Sequence, residues 1–205
     1  MTLQKDLMIA NAIMLQAINA IDEVMGSNGL NTVLRSSGLE KFIDNLPPND
    51  LEAAVPSSDY AQLNSAIEEF YGRGGRGILK RIGRASFQYG AREQPALMGI
   101  AGVALKLMPR RKKVTFILNS IGSAIKKTNP ENEFFVDDRG DHPAYCVPTC
   151  SICFGREAQA PICHLLVGSL TEAVEWATGE KLTVRETLCM AKEDAYCRFE
   201  VDLSK

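Results

Sequence analysis

Apolar positions recur at helical spacing through the first 130 residues and switch to alternation beyond them. Leu7, Met14, Ile18, Ile21 and Met25 share one helical face, which predicts a helix from Gln4 to Met25 stopped by "GSNG". "NTVLRSSGLEKFIDNL" predicts one or two short helices. "PPNDLEAAVPSSD" holds three prolines and reads as a loop with a turn of helix. Ser58 or Asp59 is placed to cap a helix over "YAQLNSAIEEFY". Ile78, Ile82, Ala85 and Tyr89 then form an apolar stripe among Lys80, Arg81 and Arg84. "QPALMGIAGVALKLMP" predicts a buried helix, and "RRKKVTFILNSIGSAIKKTNP" a further one, basic at both ends.

After Pro130, "NEFFVDD" and "PAYCV" are short and rich in aromatic and β-branched residues, so they predict strands. "PICHLLVGSLTEAVEWATG" predicts a long amphipathic helix opened by Pro161 and closed by Gly179. "KLTVRETLCMA" and "AYCRFEVDL" predict a hairpin turning near "KEDA". In its second strand Cys197, Phe199 and Val201 share the inner face. Trp176 and the methionines are assigned to the core. The fold class expected is α+β: a helical N-terminal part packed on a small antiparallel sheet, with one long helix before the C-terminal hairpin.

Composition adds that this is an ordinary globular chain, 45% hydrophobic and 23% charged over 205 residues. No apolar run reaches the roughly 18 residues a membrane span needs. The N-terminus lacks the layout of a signal peptide, so a cytoplasmic protein is expected. The net charge of −2 hides an asymmetry, because the segment from Arg73 to Lys127 carries 13 of the 23 Lys and Arg and a single acid, Glu93. That basic segment faces an anionic partner, or is a solvated face balanced by acids elsewhere. Charge without a recognised nucleic-acid module favours the balanced face, and nucleic acid is not the expected partner.

Candidate chemistry concentrates in the cysteines. Cys146, Cys150, Cys153 and Cys163, four of the six, fall within 18 residues, with His164 beside the last. In a reducing compartment such thiols are metal ligands or redox groups before they are disulfides. The spacing C-x3-C-x2-C also occurs in radical enzymes, but those need a large barrel of alternating strands and helices that this chain lacks. A metal or iron–sulfur site on Cys146, Cys150 and Cys153 stands beside three plain reduced thiols in a loop. Cys163, Glu186, Cys189 and Cys197 form a second constellation, suited to a tetrahedral zinc that pins helix to hairpin. Glu186 and Cys189 are three apart on one strand, so both reach one ion only across a bulge or bend. "GRGGRG" fits GxGxxG in letters, but it follows a helix rather than a strand and reads as a helix break.

The stretch from Tyr145 to Asp202 resembles the 4-vinyl reductase domain family. The features are Cys163 with the helix ending "EWATG", then Glu186-x2-Cys189-x7-Cys197 and "CRFEV". "GRGILKRIGRASF" is similar to the family's middle helix. The resemblance implies an α+β fold shared with subunits of the TRAPP tethering complex and related to the heme nitric oxide-binding domain. It implies a homodimer, a small hydrophobic ligand, and a structural zinc on Cys163, Glu186, Cys189 and Cys197. On this reading residues 1–60 are an N-terminal helical part of the same domain or a dimer interface, and residues 61–205 are the ligand-binding domain. The ligand pocket is expected near Phe116, Ile117 and Leu166, and the output of sensing is expected in a separate partner, since no output domain is attached. Two alternatives stay open: an iron–sulfur or tetrapyrrole-linked redox protein, and an interaction module like the tethering subunits. No residue set looks like a reductase site, so the family's enzymatic name is weak ground for an activity.

Overall fold

The computed structural model describes residues 5–94 and 107–204. The chain is α+β, and its elements in order begin with strand β1 (Met8–Ala10), helix α1 (Asn11–Ser36), helix α2 (Lys41–Asp44) and strand β2 (Ala53–Pro56). Helix α3 (Ser57–Tyr71) passes through a tight turn at Gly72–Gly74 into α4 (Gly75–Glu93). Helix α5 (Arg110–Thr128), strands β3 (Phe135–Asp137) and β4 (Ala144–Val147), helix α6 (His164–Thr178) and strands β5 (Thr183–Leu188) and β6 (Cys197–Asp202) complete it. The expected helix over "QPALMGIAGVALKLMP" falls almost wholly outside the described residues.

Two antiparallel sheets frame the molecule: β1 with β2, and a four-stranded sheet in the order β3-β4-β6-β5. The small sheet overturns the expected start of the first helix. Ile9 faces Val55 in a pair too short for its alternation to stand out from the helical pattern around it. Helix α1 also runs past "GSNG". It bends at Gly26, whose φ of +73° suits glycine, and resumes because Val33 and Leu34 add buried apolar contacts. The cap on α3 comes from neither Ser58 nor Asp59: the Ser58 N–H and hydroxyl both donate to the carboxylate of Asp6.

The core lies between the inner face of the larger sheet, with Tyr145, Phe199 and Val201, and helices α4, α5 and α6. Helices α4 and α6 cross at bare backbone. A Cβ on Gly83 would lie 1.9 Å from the Leu165 carbonyl oxygen, and one on Gly168 would lie 2.1 Å from that of Lys80. The Ser169 hydroxyl donates across the same crossing to the Gly83 carbonyl at 2.9 Å. Trp176, expected in the core, is 44% exposed on α6. It falls on the polar side of a helix whose apolar stripe is filled by Leu170, Ala173 and Ala177.

Much of the basic segment is met by acids of the C-terminal half. Arg84 pairs with Glu172 and Glu175, Arg110 with Glu180, and Arg111 with Asp138. Arg111 also donates to the Asp138 and Gly140 carbonyls.

Candidate metal centre and adjoining cavity

Five of the six cysteines converge on one buried point, brought there by three separate pieces of chain. Cys150 and Cys153 come from the loop after β4, where the Cys153 N–H donates to the Cys150 carbonyl and draws the C-x2-C pair into a turn. Cys163 is the residue before the first turn of α6. Cys189 follows β5 and Cys197 opens β6, joined by a tight turn over Met190–Lys192. The β5–β6 register slips between Glu186 and Leu188. That irregularity is the bend that two ligands three residues apart require, and it brings Glu186 into the group with Cys189.

The sulfurs are close: Cys153 to Cys163 3.2 Å, Cys153 to Cys197 3.4 Å, Cys150 to Cys163 3.5 Å, Cys153 to Cys189 3.6 Å, and Cys163 to Cys197 3.8 Å. Tetrahedral zinc–thiolate bonds of about 2.3 Å put neighbouring sulfurs about 3.8 Å apart, so this spacing is that of thiols around a single ion. Two groups of four donors lie within 4.8 Å of one another: Cys150, Cys153, Cys163 and Cys197, and Cys163, Glu186, Cys189 and Cys197.

The surroundings favour negative charge at specific atoms. The Met190 N–H points at the Cys197 sulfur at 3.3 Å. Hydrogen bonds from neighbouring thiols, that of Cys153 first, hold Cys150 and Cys189 well below the ordinary thiol range. Their partners Cys153, Cys163 and Cys197 keep their protons more tightly than a free thiol does, first through their hydrogen bonds to Cys150. Glu186 receives the Cys163 N–H on Oε2 at 2.8 Å, whereas its Oε1 is buried with no partner. Burial, then the neighbouring Cys189, pushes that carboxyl up to about 8. A carboxylate and several thiolates cannot stay ionised together in a dry interior without a cation.

Cys146 stands apart from the other two members of its sequence trio. It sits on β4 beside Tyr145, whose ring faces the core, and its own sulfur lies 3.7 Å from the Arg198 guanidinium. His142 is at the far end of the sheet, 3.9 Å from Asp202. His164 begins α6, and burial, then Arg76 and Lys80, lowers its pKa to about 4.

Beside the thiols lies a cavity of about 220 Å³ between β4, α4, α5, α6 and the start of α1. Its wall is mostly apolar, with Ile13, Phe87, Ile121 and Leu166. Of the three residues expected there, Leu166 lines it. Phe116 and Ile117 sit one turn earlier on α5 than Ile121 and Ile125, which do. Asn132 lines the wall with a buried side-chain amide nitrogen that has no partner. Cys150 belongs to both places, as a wall residue of the cavity and as a member of the thiol group.

Residues 147–203 match the 4-vinyl reductase domain, the domain whose motif the cysteines and Glu186 suggested. No curated protein matches the chain. Several solved H-NOX structures share the fold. An H-NOX protein from S. oneidensis in the Fe(II)NO ligation state aligns with a TM-score of 0.63 at 13% identity, covering 96% of this chain and 100% of that one. A structure described by heme redox potential modulated through porphyrin distortion gives 0.60 at 14%, covering 94% and 98%. An oxygen-binding H-NOX domain related to soluble guanylate cyclases gives 0.56 at 14%, covering 91% and 89%.

Proposed function

For a chain whose residues 147–203 match a 4-vinyl reductase domain, we propose a metal-stabilised domain that binds a small hydrophobic molecule and passes its state to a separate partner. The observation that carries the reading is the apolar cavity that shares Cys150 with the thiol group. An apolar body fills the wall formed by Ile13, Phe87 and Ile121, and one hydrogen-bond acceptor on the ligand meets the free Asn132 amide. The N-terminal 60 residues belong to this same domain, since β1 and α1 supply Ile9 and Ile13 to the wall. All six cysteines are free, in keeping with a reducing cytoplasm. A homodimer accompanies the family resemblance, and half-exposed Trp176 and Phe70 offer apolar surface for it.

Zinc is the metal we assign, on Cys163, Glu186, Cys189 and Cys197. The donors suit it: soft thiolates, one carboxylate, close spacing, and a buried Glu186 Oε1 lacking any other partner. Bound there, zinc supplies cross-linking of the start of α6 to the β5–β6 hairpin rather than chemistry on a substrate. An iron–sulfur cluster is less well supported, because sulfurs at 3.2–3.8 Å leave no space among them for the cluster's own sulfides.

Heme, named for some of the fold's relatives, does not suit this site. No histidine or methionine is among the described residues of the wall, and both of the chain's histidines lie elsewhere. Burial holds Tyr60 and Tyr145 strongly in the phenol form, and the Cys150 sulfur is turned to Cys163 at 3.5 Å. A cavity of about 220 Å³ is also below the roughly 300–1,000 Å³ of drug-sized sites.

Calorimetric titration of the metal-replete protein with small aromatics, phenol and toluene among them, tests the reading. Saturable binding that disappears in Ile121→Trp, with Asn132→Leu weakening phenol and sparing toluene, is expected. Absence of binding across such a panel, or binding untouched by Ile121→Trp, overturns it.

A further inference from the structure

The thiol group holds more donors than one tetrahedral ion can use. One zinc takes four, and Cys150, Cys153, Cys163, Glu186, Cys189 and Cys197 make six, all gathered into two overlapping groups. The two groups share two members, Cys163 and Cys197, whose sulfurs are 3.8 Å apart. Each group then adds two donors of its own: Cys150 and Cys153 on the loop side, Glu186 and Cys189 on the hairpin side.

We propose that the site is binuclear, two divalent soft metal ions bridged by the Cys163 and Cys197 thiolates, one ion completed by Cys150 and Cys153 and the other by Glu186 and Cys189. The proposal rests on the zinc reading above and adds the second ion. Two tetrahedra joined along an edge use six donors and leave none over, and a bridging thiolate is ordinary thiolate chemistry because sulfur has lone pairs for two metals. Five thiolates and a carboxylate carry six negative charges against four positive ones from two zinc ions, so the second ion removes most of the charge that one ion leaves buried. Binding is a proton exchange, in which each thiol that becomes a ligand releases its proton to solvent and no electron moves.

The alternative is one ion with two spare thiols, since a protonated cysteine is content in an apolar core. Two features count against it. The spare pair is not off to one side: Cys153 contacts Cys163, Cys189 and Cys197, at the centre of the group. The pair also sits on a loop that has little else to hold it. That loop is a single short turn, Ser151–Cys153, between β4 and the approach to α6. The second ion would fasten it to the hairpin, and with it the part of the cavity wall that Cys150 and Ile152 provide.

The test is metal content and a cobalt titration on the full chain, purified without oxygen. Two zinc ions per chain are expected. The Cys150→Ser/Cys153→Ser double variant should retain one, and Cys163→Ser should retain none or one held weakly. Titration of the metal-free protein with Co(II) should saturate its sulfur-to-metal absorption at two equivalents, and the Co(II) spin signal should fall as the second equivalent binds, through the bridging sulfurs. Saturation at one equivalent, with one zinc in both the native chain and the double variant, overturns the second ion and leaves the zinc reading standing. Iron with acid-labile sulfide, or no metal taken up at all, overturns both. The native chain's stoichiometry decides the matter even if a variant fails to fold.

Discussion

Glu186 does two things with one carboxylate. It accepts the Cys163 N–H on one oxygen and leaves the other buried without a partner among the thiols. Glu186→Gln preserves the shape and the accepted hydrogen bond but removes the charge and the anionic ligand atom. It should weaken zinc at least about tenfold in competition with a chromophoric chelator, the low end of what perturbing a metal site costs. Unchanged affinity would place Glu186 outside the coordination shell. The residue was legible in the sequence because its distance of three from Cys189 demanded a bend, and the β5–β6 register supplies one. Cys146 was not separable from Cys150 and Cys153 by spacing alone. It is the strand's alternation that turns Tyr145 to the core and Cys146 to Arg198. Asp137 makes a second residue-scale case. Arg139 and then Arg198 hold its carboxyl down to about 2 from an ordinary 3.8. A group with a depressed folded pKa stabilises above its ordinary value and loses that contribution as pH falls through the depressed one. Melting temperature should therefore fall more steeply from about pH 4 to pH 2 in the native chain than in Asp137→Asn. Parallel curves would show that the pair adds nothing.

Helix α6 is the element on which the rest is hung. Its first turn begins beside Cys163, its middle crosses α4 at Gly83 and Gly168, and it lends Leu166 to the cavity. The amphipathic pattern announced the helix, and Gly179 ends it at a φ of +77°, a conformation that favours glycine. The crossing was hidden, since a glycine within a helical pattern signals only weak propensity until its neighbour is known. A methyl at Gly168 meets the Lys80 backbone, which cannot swing aside as a side chain would. Gly168→Ala should cost about 1–3 kcal/mol, the range for forcing extra atoms into a packed core, by denaturant unfolding. A loss under a few tenths would mean the helices part freely. The cap on α3 was equally out of reach of a local reading, because Asp6 lies 52 residues from Ser58. Asp6→Ala should cost about 1 kcal/mol in the same experiment, as lost caps do.

Across the whole molecule, the α+β layout and the hairpin were readable because long stretches keep one periodicity. The two-stranded sheet of β1 and β2 was not, being only three and four residues long. The basic segment was readable as charge but not as position. Folding sets Arg84, Arg110 and Arg111 against acids distant in sequence, which turns a suspected anionic interface into internal pairing. The thiols are gathered in the same way. Three chain pieces far apart in sequence meet at one point, and an ion there ties the C-terminal third together and closes one wall of the cavity. The most direct measurement is the melting temperature of the protein before and after complete zinc removal by a strong chelator, read beside its zinc content. The account predicts a drop of about ten degrees or more, in the range of about 2–4 °C per kcal/mol for a chain of this size, recovered when zinc is restored. A metal-free protein that melts where the replete one does, with the cysteines still reduced, would contradict it.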